Sequence, residues 1–244
     1  MLFRSKTVKT SNDDLLIKLF EASLRYTKFS QVNIQNLEGL SLDYFKDDLE
    51  KYGLKNVVLW SRGVDLDIFK MQDSKALNTA HPIFLYVGRV AVEKNINAFL
   101  EIDLPGSKWV VGDGPALAGI KEKYPEVNYL GVLQQHELAK VYAAADVFVF
   151  PSKTDTFGLV LLEAMACGTP VAAYPVTGPI DVLGNSNAGA MNEDLREACL
   201  QALKIPREVA RAHAEKFSWR AASEQFANHL KPVPTPEVHI TALA

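Results

Sequence analysis

From residue 83 onward, short apolar runs take turns with stretches whose apolar residues recur every three or four positions. The runs are rich in β-branched and aromatic residues and lack polar alternation, so they predict strands buried on both faces. They lie at Ile83 to Val87, Trp109 to Val111, Val127 to Leu130, Val147 to Phe150 and Val171 to Tyr174. Between them, Ile96 to Ile102, Ala116 to Lys123, His136 to Ala145 and Leu159 to Cys167 carry helical spacing. Such alternation implies the α/β class, a doubly wound parallel sheet with helices on both faces. Ligands on these sheets bind beyond the carboxyl ends of the strands, which directs attention to the loops that follow them.

Outside that region the pattern is weaker. Asp13 to Leu24 has the spacing of a short helix, and Leu42, Phe45, Leu49 and Tyr52 share a helical face that ends at Gly53. Asn56 to Trp60 reads as a strand, and Gln72 to His81 as a polar connector. Asp146 reads as a local cap, and Tyr174 to Pro179 as a rigid loop. Residues 193 to 230 are helical in pattern, with Phe217, Trp219, Phe226 and Leu230 expected to anchor the last segment. Three prolines between Pro232 and Pro236 make 231–244 a loose tail.

Composition narrows the functional classes. The chain has 244 residues, 48% of them hydrophobic, and a net charge of −3, which gives no footprint for nucleic acid and no general attraction to anionic lipid. Local basic patches leave peripheral contact with a membrane open. Neither a run long enough to span a bilayer nor a signal peptide is visible, so a cytoplasmic location is expected. The two cysteines, Cys167 and Cys199, sit in apolar helical contexts and read as buried thiols in a reducing compartment. The five histidines show no metal-ligand spacing, and no Ser-His-Asp or Cys-His set can be assembled, so no metal and no cofactor are expected.

One stretch concentrates candidate chemistry. After the strand ending at Phe150, a proline and a polar turn lead through Asp155, Thr156, Phe157 and Gly158 into a helix that Gly168-Thr169-Pro170 ends. Every residue from Leu159 to Cys167 is apolar or small except Glu163. A carboxylate on a helix buried all round costs several kcal/mol unless something binds it. Glu163 either pairs with an Arg or Lys or faces a ligand cleft and accepts hydroxyl hydrogens. The first amides of that helix have no partner within it and carry the positive end of its dipole, a natural seat for phosphate around Phe157, Gly158, Leu159 and Val160. Asp155 and Thr156 either cap the helix or, in the case of Asp155, hold sugar hydroxyls.

This stretch, D-T-F-G-L-V-L-L-E-A-M-A-C-G-T-P, resembles the acid-x7-Glu signature of the retaining GT-B glycosyltransferases of family 4 (glycosyl transferases group 1). Asp155 stands where the first Glu is usual, one carbon shorter, and Glu163 is the second acid; the chain resembles a D-T-F-G subgroup. The motif Ser61-Arg62-Gly63-Val64-Asp65 after Trp60 resembles the end of that family's first domain. The resemblance implies residues 1–65 as a remnant of the N-terminal, acceptor domain plus linker. It makes 66–230 a Rossmann-like GT-B C-terminal domain that binds the nucleotide sugar, and 231–244 a tail. Asp65-Leu66-Asp67 looks like a metal-binding D-x-D but follows the linker, and a solvated loop is expected there.

Two further motifs carry the resemblance. Gly88-Arg89-Val90-Ala91-Val92-Glu93-Lys94-Asn95 offers a turn and two cations able to converge on one anion, Arg89 as a planar fork and Lys94 as a mobile point charge. In the family this Arg and Lys hold the donor diphosphate; Glu93 is expected to orient Lys94 or face water. Gly112-Asp113-Gly114-Pro115 is a turn before a helix; the resemblance implies that Gly112 lines the nucleotide pocket and that Asp113 is structural. Tyr129 to Val132 falls where the family contacts the base.

The implied activity is transfer of a hexosyl group from UDP- or GDP-hexose with retention and without divalent metal, to an acceptor that the sequence leaves open among lipid, glycan and small molecule. This chain would supply the donor-binding half, through Gly88, Arg89, Lys94, Gly112, Asp155, Phe157, Gly158, Leu159, Val160 and Glu163. Asp155, Glu163, Arg89 and Lys94 would carry the chemistry. A nucleotide-sugar-binding module without transfer is the alternative; an epimerase would need a carboxylate pair and a His that cannot be found.

Overall fold

In the central strands every residue faces a covered side. β1 (Ile83–Val87) and β4 (Val147–Phe150) are buried at every position, as the unbroken apolar runs demand. The computed structural model describes residues 61–72, 81–155 and 158–229. The helices expected before Gly53, the strand Asn56 to Trp60, the tail after 230 and site residue Phe157 lie outside them.

The remaining elements are α1 (Ile96–Glu101), β2 (Ser107–Val111), α2 (Leu117–Lys123), β3 (Asn128–Gly131), α3 (Gln135–Ala144), α4 (Leu159–Ala166), β5 (Val171–Ala173), α5 (Thr177–Leu183), β6 (Gly189–Met191), α6 (Leu195–Ala202), α7 (Arg207–Ala214) and α8 (Trp219–His229). The strands form one sheet in the order β3-β2-β1-β4-β5-β6, all pairs parallel. The chain winds outward from β1 through β2 to β3, then returns to lay β4 against the other side of β1. That reversal opens a crevice beyond the carboxyl ends of β1 and β4, where such sheets bind ligands.

The period of two along each strand divides the core. Ile83, Leu85, Val87, Phe148 and Phe150 face one cluster with Tyr142 of α3 and with Leu161, Leu162 and Met165 of α4. Phe84, Tyr86, Val147 and Val149 face the other, with Phe99 of α1, Ile120 of α2 and Leu195 of α6. Complete burial of one Leu or Phe side chain contributes about 1.5–3 kcal/mol, so both layers hold the sheet rigid beneath the crevice.

α4 ends as the sequence predicts. The amide of Gly168 donates to Met165 O at 2.9 Å and that of Thr169 to Ala164 O at 2.9 Å, the paired bonds of a Schellman motif. The carbonyls still open at that end accept from two arginines of α7. Arg211 Nη1 reaches Ala166 O at 2.7 Å and Arg207 Nη2 reaches Cys167 O at 3.2 Å, while Arg207 also reaches Ala143 O at the end of α3 at 2.6 Å. Cations at helix C-termini are favoured by the dipole. These contacts cross 40 to 64 positions of chain, which periodicity cannot predict. Both thiols, Cys167 and Cys199, are free and buried, as expected, and burial pushes each up to about 12.

Two local expectations are corrected, and one strand was missed. Asp146 is not a local cap: its Oδ2 accepts from the Ile83 amide at 2.7 Å and lies 2.7 Å from His81 Nδ1, fastening the starts of β1 and β4 together. The stretch Tyr174 to Pro179 is not all loop, because α5 begins at Thr177 and takes Pro179 into its first turn, where a missing N–H costs nothing. β6 went unforeseen, being three half-buried residues, Gly-Ala-Met, with no β-branched signal. At the last segment Phe217 packs on the core and Trp219, 55% exposed, lies against Gly63. Polar bonding fastens that end as well: Val64 N donates to Phe217 O at 2.8 Å and Ser61 N to Gln225 Oε1 at 3.2 Å. Among the described residues, no helix is long and apolar enough to cross a membrane.

Candidate functional site

Hydrogen bonds between strand ends continue past β1 and shape the first wall of the crevice. Gly88 N donates to Val111 O at 3.0 Å, Val90 N to Asp113 O at 2.9 Å and Gly112 N to Gly131 O at 2.7 Å. The Tyr86 hydroxyl donates to Arg89 O at 2.8 Å and holds the turn from inside. Burial, with Asp155 and Glu93 adding to it, pushes that phenol well above its usual range, so it stays a donor. The chain then makes one 3-10 turn, Val92–Lys94, and Asn95 adopts a left-handed conformation with φ 53°. Asn95 Nδ2 donates to Pro151 O at 3.0 Å, which docks the Lys94 loop against the end of β4.

The second wall is the turn into α4. Gly158 caps that helix at φ 69° and ψ 64°, a left-handed conformation that costs a residue with a Cβ and suits glycine. Among the described residues no side chain bonds the helix start. The amides of Leu159 and Val160, within the first turn, have no intrahelical acceptor. Asp155 therefore does not cap α4. It reaches across the crevice to Lys94, whose Nζ lies 2.9 Å from Oδ1 and 2.8 Å from Oδ2, both side chains 27% exposed.

Between the walls is a cavity of about 270 Å³, lined by Gly88, Arg89, Lys94, Asp155, Gly158, Leu159 and Val160 among the residues expected from sequence. Arg62, Tyr86, Val87, Phe150 and Ser152 complete the lining. Of these, Arg62 belongs to the Ser61-to-Asp65 motif, which the sequence marked as a linker and not as part of a site. Tyr86, Val87, Phe150 and Ser152 enter because the sheet brings the ends of β1 and β4 together.

Two expected site residues stand elsewhere. Gly112 does not line this cavity but supports it from behind: a Cβ there would sit 1.9 Å from Gly88 O. Glu163 lies one turn further along α4, half-buried and also off the lining. Its Oε2 accepts from the Tyr142 hydroxyl at 3.1 Å. Among the described residues no Arg or Lys pairs with it, the internal ion pair is therefore absent, and Oε1 has no partner. Glu93, for its part, pairs with Arg89 at 3.3 Å rather than orienting Lys94. Both members of that pair are more than half exposed, so it contributes little.

Burial holds the Glu163 carboxyl above the usual carboxylate range, with the Tyr142 hydrogen bond pulling back only part of the shift. An acid raised in this way holds its proton more readily folded than unfolded. Its contribution to stability is complete below the unfolded carboxyl range and is lost as pH climbs through the folded value. Glu163→Gln keeps an acceptor for Tyr142 and removes the titration. It is expected to flatten the fall in stability from about pH 4 upward and to be at least as stable as the parent at neutral pH. Urea unfolding across that range checks this; parallel curves for the two chains would contradict it.

At 81–205 the chain matches the family model described as glycosyl transferases group 1. It is 33% identical over 198 residues to a sulfoquinovosyl transferase of Arabidopsis thaliana, covering 70% of this chain and 39% of that protein. It is 32% identical over 158 residues to a GDP-mannose-dependent alpha-mannosyltransferase of Corynebacterium glutamicum, covering 59% of this chain and 37% of the relative. The chain thus spans less than half the length of these curated relatives. Among solved structures, sucrose-phosphate synthase of Thermosynechococcus elongatus superposes with a TM-score of 0.64 at 27% identity, over 78% of this chain and 56% of that one.

Proposed function

The chain belongs to the glycosyl transferases of group 1, and from that premise we propose that the crevice binds the diphosphate of a nucleotide sugar. In this reading the chain carries the donor-binding half of a retaining GT-B hexosyltransferase that uses UDP- or GDP-hexose. The observation that carries the proposal is the convergence of Arg89, Lys94 and the first amides of α4, at Leu159 and Val160, on one cavity at the point where the strand order reverses.

Transfer breaks the bond between the sugar's anomeric carbon and a diphosphate oxygen, forms a bond from that carbon to an acceptor oxygen, and releases a nucleoside diphosphate and a proton. Negative charge grows on the departing diphosphate while the anomeric carbon becomes positive. Cations and fixed amides aimed at that charge stabilise the transition state more than the ground state. Lys94, Arg89 and the α4 amides fill that role here. Asp155 shares its oxygens with Lys94 yet keeps lone pairs to accept from hydroxyls of the donor sugar. Glu163, through Oε1, accepts from the ribose hydroxyls of a ligand long enough to reach past Val160. Two buried free thiols suit a cytoplasmic location.

Thermal unfolding with UDP, GDP, ADP and their sugars tests the reading. A ligand at a hundred times its Kd stabilises the fold by about 2.7 kcal/mol, a rise of roughly 5–10 °C for a chain of this size. One base is expected to give it, and Arg89→Ala to diminish it. A chain that no diphosphate stabilises overturns the proposal. Binding without release of nucleotide from any sugar donor would favour a non-catalytic binding module.

A further inference from the structure

Ser152, two residues past the end of β4, lines the cavity and is only 2% exposed. Its Oγ is buried and has no hydrogen-bond partner among the described residues. Buried hydroxyls in folded proteins are nearly always satisfied, and one left open costs free energy in the empty protein. A serine retained at such a place invites a partner that arrives with the ligand.

The surroundings indicate what that partner is. The neighbouring wall presents donors: the Lys94 ammonium, the Arg89 guanidinium and the opening amides of α4. The acceptor on that wall, Asp155, faces Lys94 with both oxygens, and no bond joins it to Ser152. A hydroxyl that rotates to donate completes this arrangement around a group that only accepts. A phosphoryl oxygen is such a group, and a neutral donor adds a hydrogen bond to it without a further charge to desolvate. We propose that the Ser152 hydroxyl is a further binding residue of this site and donates to a phosphoryl oxygen of the nucleoside diphosphate. The inference rests on the nucleotide reading given above and adds to it a residue that charge and motif do not mark.

Ser152→Ala tests it, because a binding role and a structural role move two measurements differently. Removing a hydroxyl that has no partner leaves the melting temperature of the empty protein unchanged or higher. Binding of UDP or GDP, whichever the parent binds more tightly by calorimetry, is expected to weaken about tenfold, as for loss of one hydrogen bond to a charged group. The matching sugar diphosphate should weaken by the same factor. Unchanged affinity for the diphosphate overturns the inference while leaving the nucleotide reading intact. So does a loss confined to the sugar diphosphate, which would assign the hydroxyl to the sugar. A lower melting temperature of the empty variant overturns it too, since the hydroxyl would then have had a partner. A parent that binds neither diphosphate refutes the nucleotide reading, and this inference with it.

Discussion

Lys94→Ala is expected to weaken nucleoside diphosphate binding by roughly a hundredfold or more, and Asp155→Asn introduced beside it to restore part of that loss. Two effects act in the single variant. The attraction between ammonium and phosphate disappears, and the Asp155 carboxylate, until then neutralised at 2.8 Å, is left bare beside the incoming anion. Unit charges about 4 Å apart near a protein surface interact by about 4 kcal/mol. Both side chains retain a quarter of their exposure, so water screens each interaction and the pair of effects together comes to about 3 kcal/mol. The double variant removes the repulsion but not the lost attraction, which places it between parent and single variant. Asp155→Asn alone frees Lys94 and should bind the bare diphosphate at least as well as the parent, while losing preference for the diphosphate that carries a sugar. Calorimetric titration of the four chains with UDP or GDP decides it. A Lys94→Ala chain within threefold of the parent would show that the ammonium serves the Asp155 pair and not the ligand.

The same pair marks where sequence reasoning stops. Strand runs such as Ile83 to Val87 and Val147 to Phe150 were legible to the residue, because burial on both faces leaves no polar interruption. The signature helix was legible too, its end set by Gly168 and its single acid at Glu163. Arg89, Lys94 and Asp155 could each be named from local motifs, but the bond joining Lys94 to Asp155 across sixty-one positions could not. It depends on how the crossover between β1 and β4 closes. Ser152 carries no signal in sequence, since only its burial without a partner distinguishes it from any other serine in a turn. Likewise β6 is too short to have a period, and the role of Asp146 appears only when β1 lies beside β4. What was hidden in each case is a contact between distant segments, and such contacts are what assemble the cavity.

Gly112→Ala is expected to cost about 3 kcal/mol of folding stability and, in the chains that do fold, to blunt nucleotide binding as well. Gly112 sits at φ 128°, where a residue with a Cβ is strained. The added carbon would lie 1.9 Å from Gly88 O, backbone that cannot swing aside as a side chain could. Relief requires moving the turn that Gly88 N fixes to Val111 O, or breaking the bond from Gly112 N to Gly131 O. Either movement unsettles the ends of β1, β2 and β3 together, and with them Arg89. Strain and steric overlap of this kind fall in the upper range of single-substitution effects, a drop of roughly 6–12 °C in melting temperature for this chain length. Gly119 in α2 is the control: nothing lies within 4 Å of a Cβ there, and alanine in a helix interior should stabilise by about 0.5–1 kcal/mol. Melting curves of the two variants, each with and without UDP or GDP, separate strain at one glycine from the generic effect of adding a methyl. If Gly112→Ala melts with the parent, the strand ends yield more readily than their hydrogen bonds imply, and the turn that holds Arg89 is not rigidly placed.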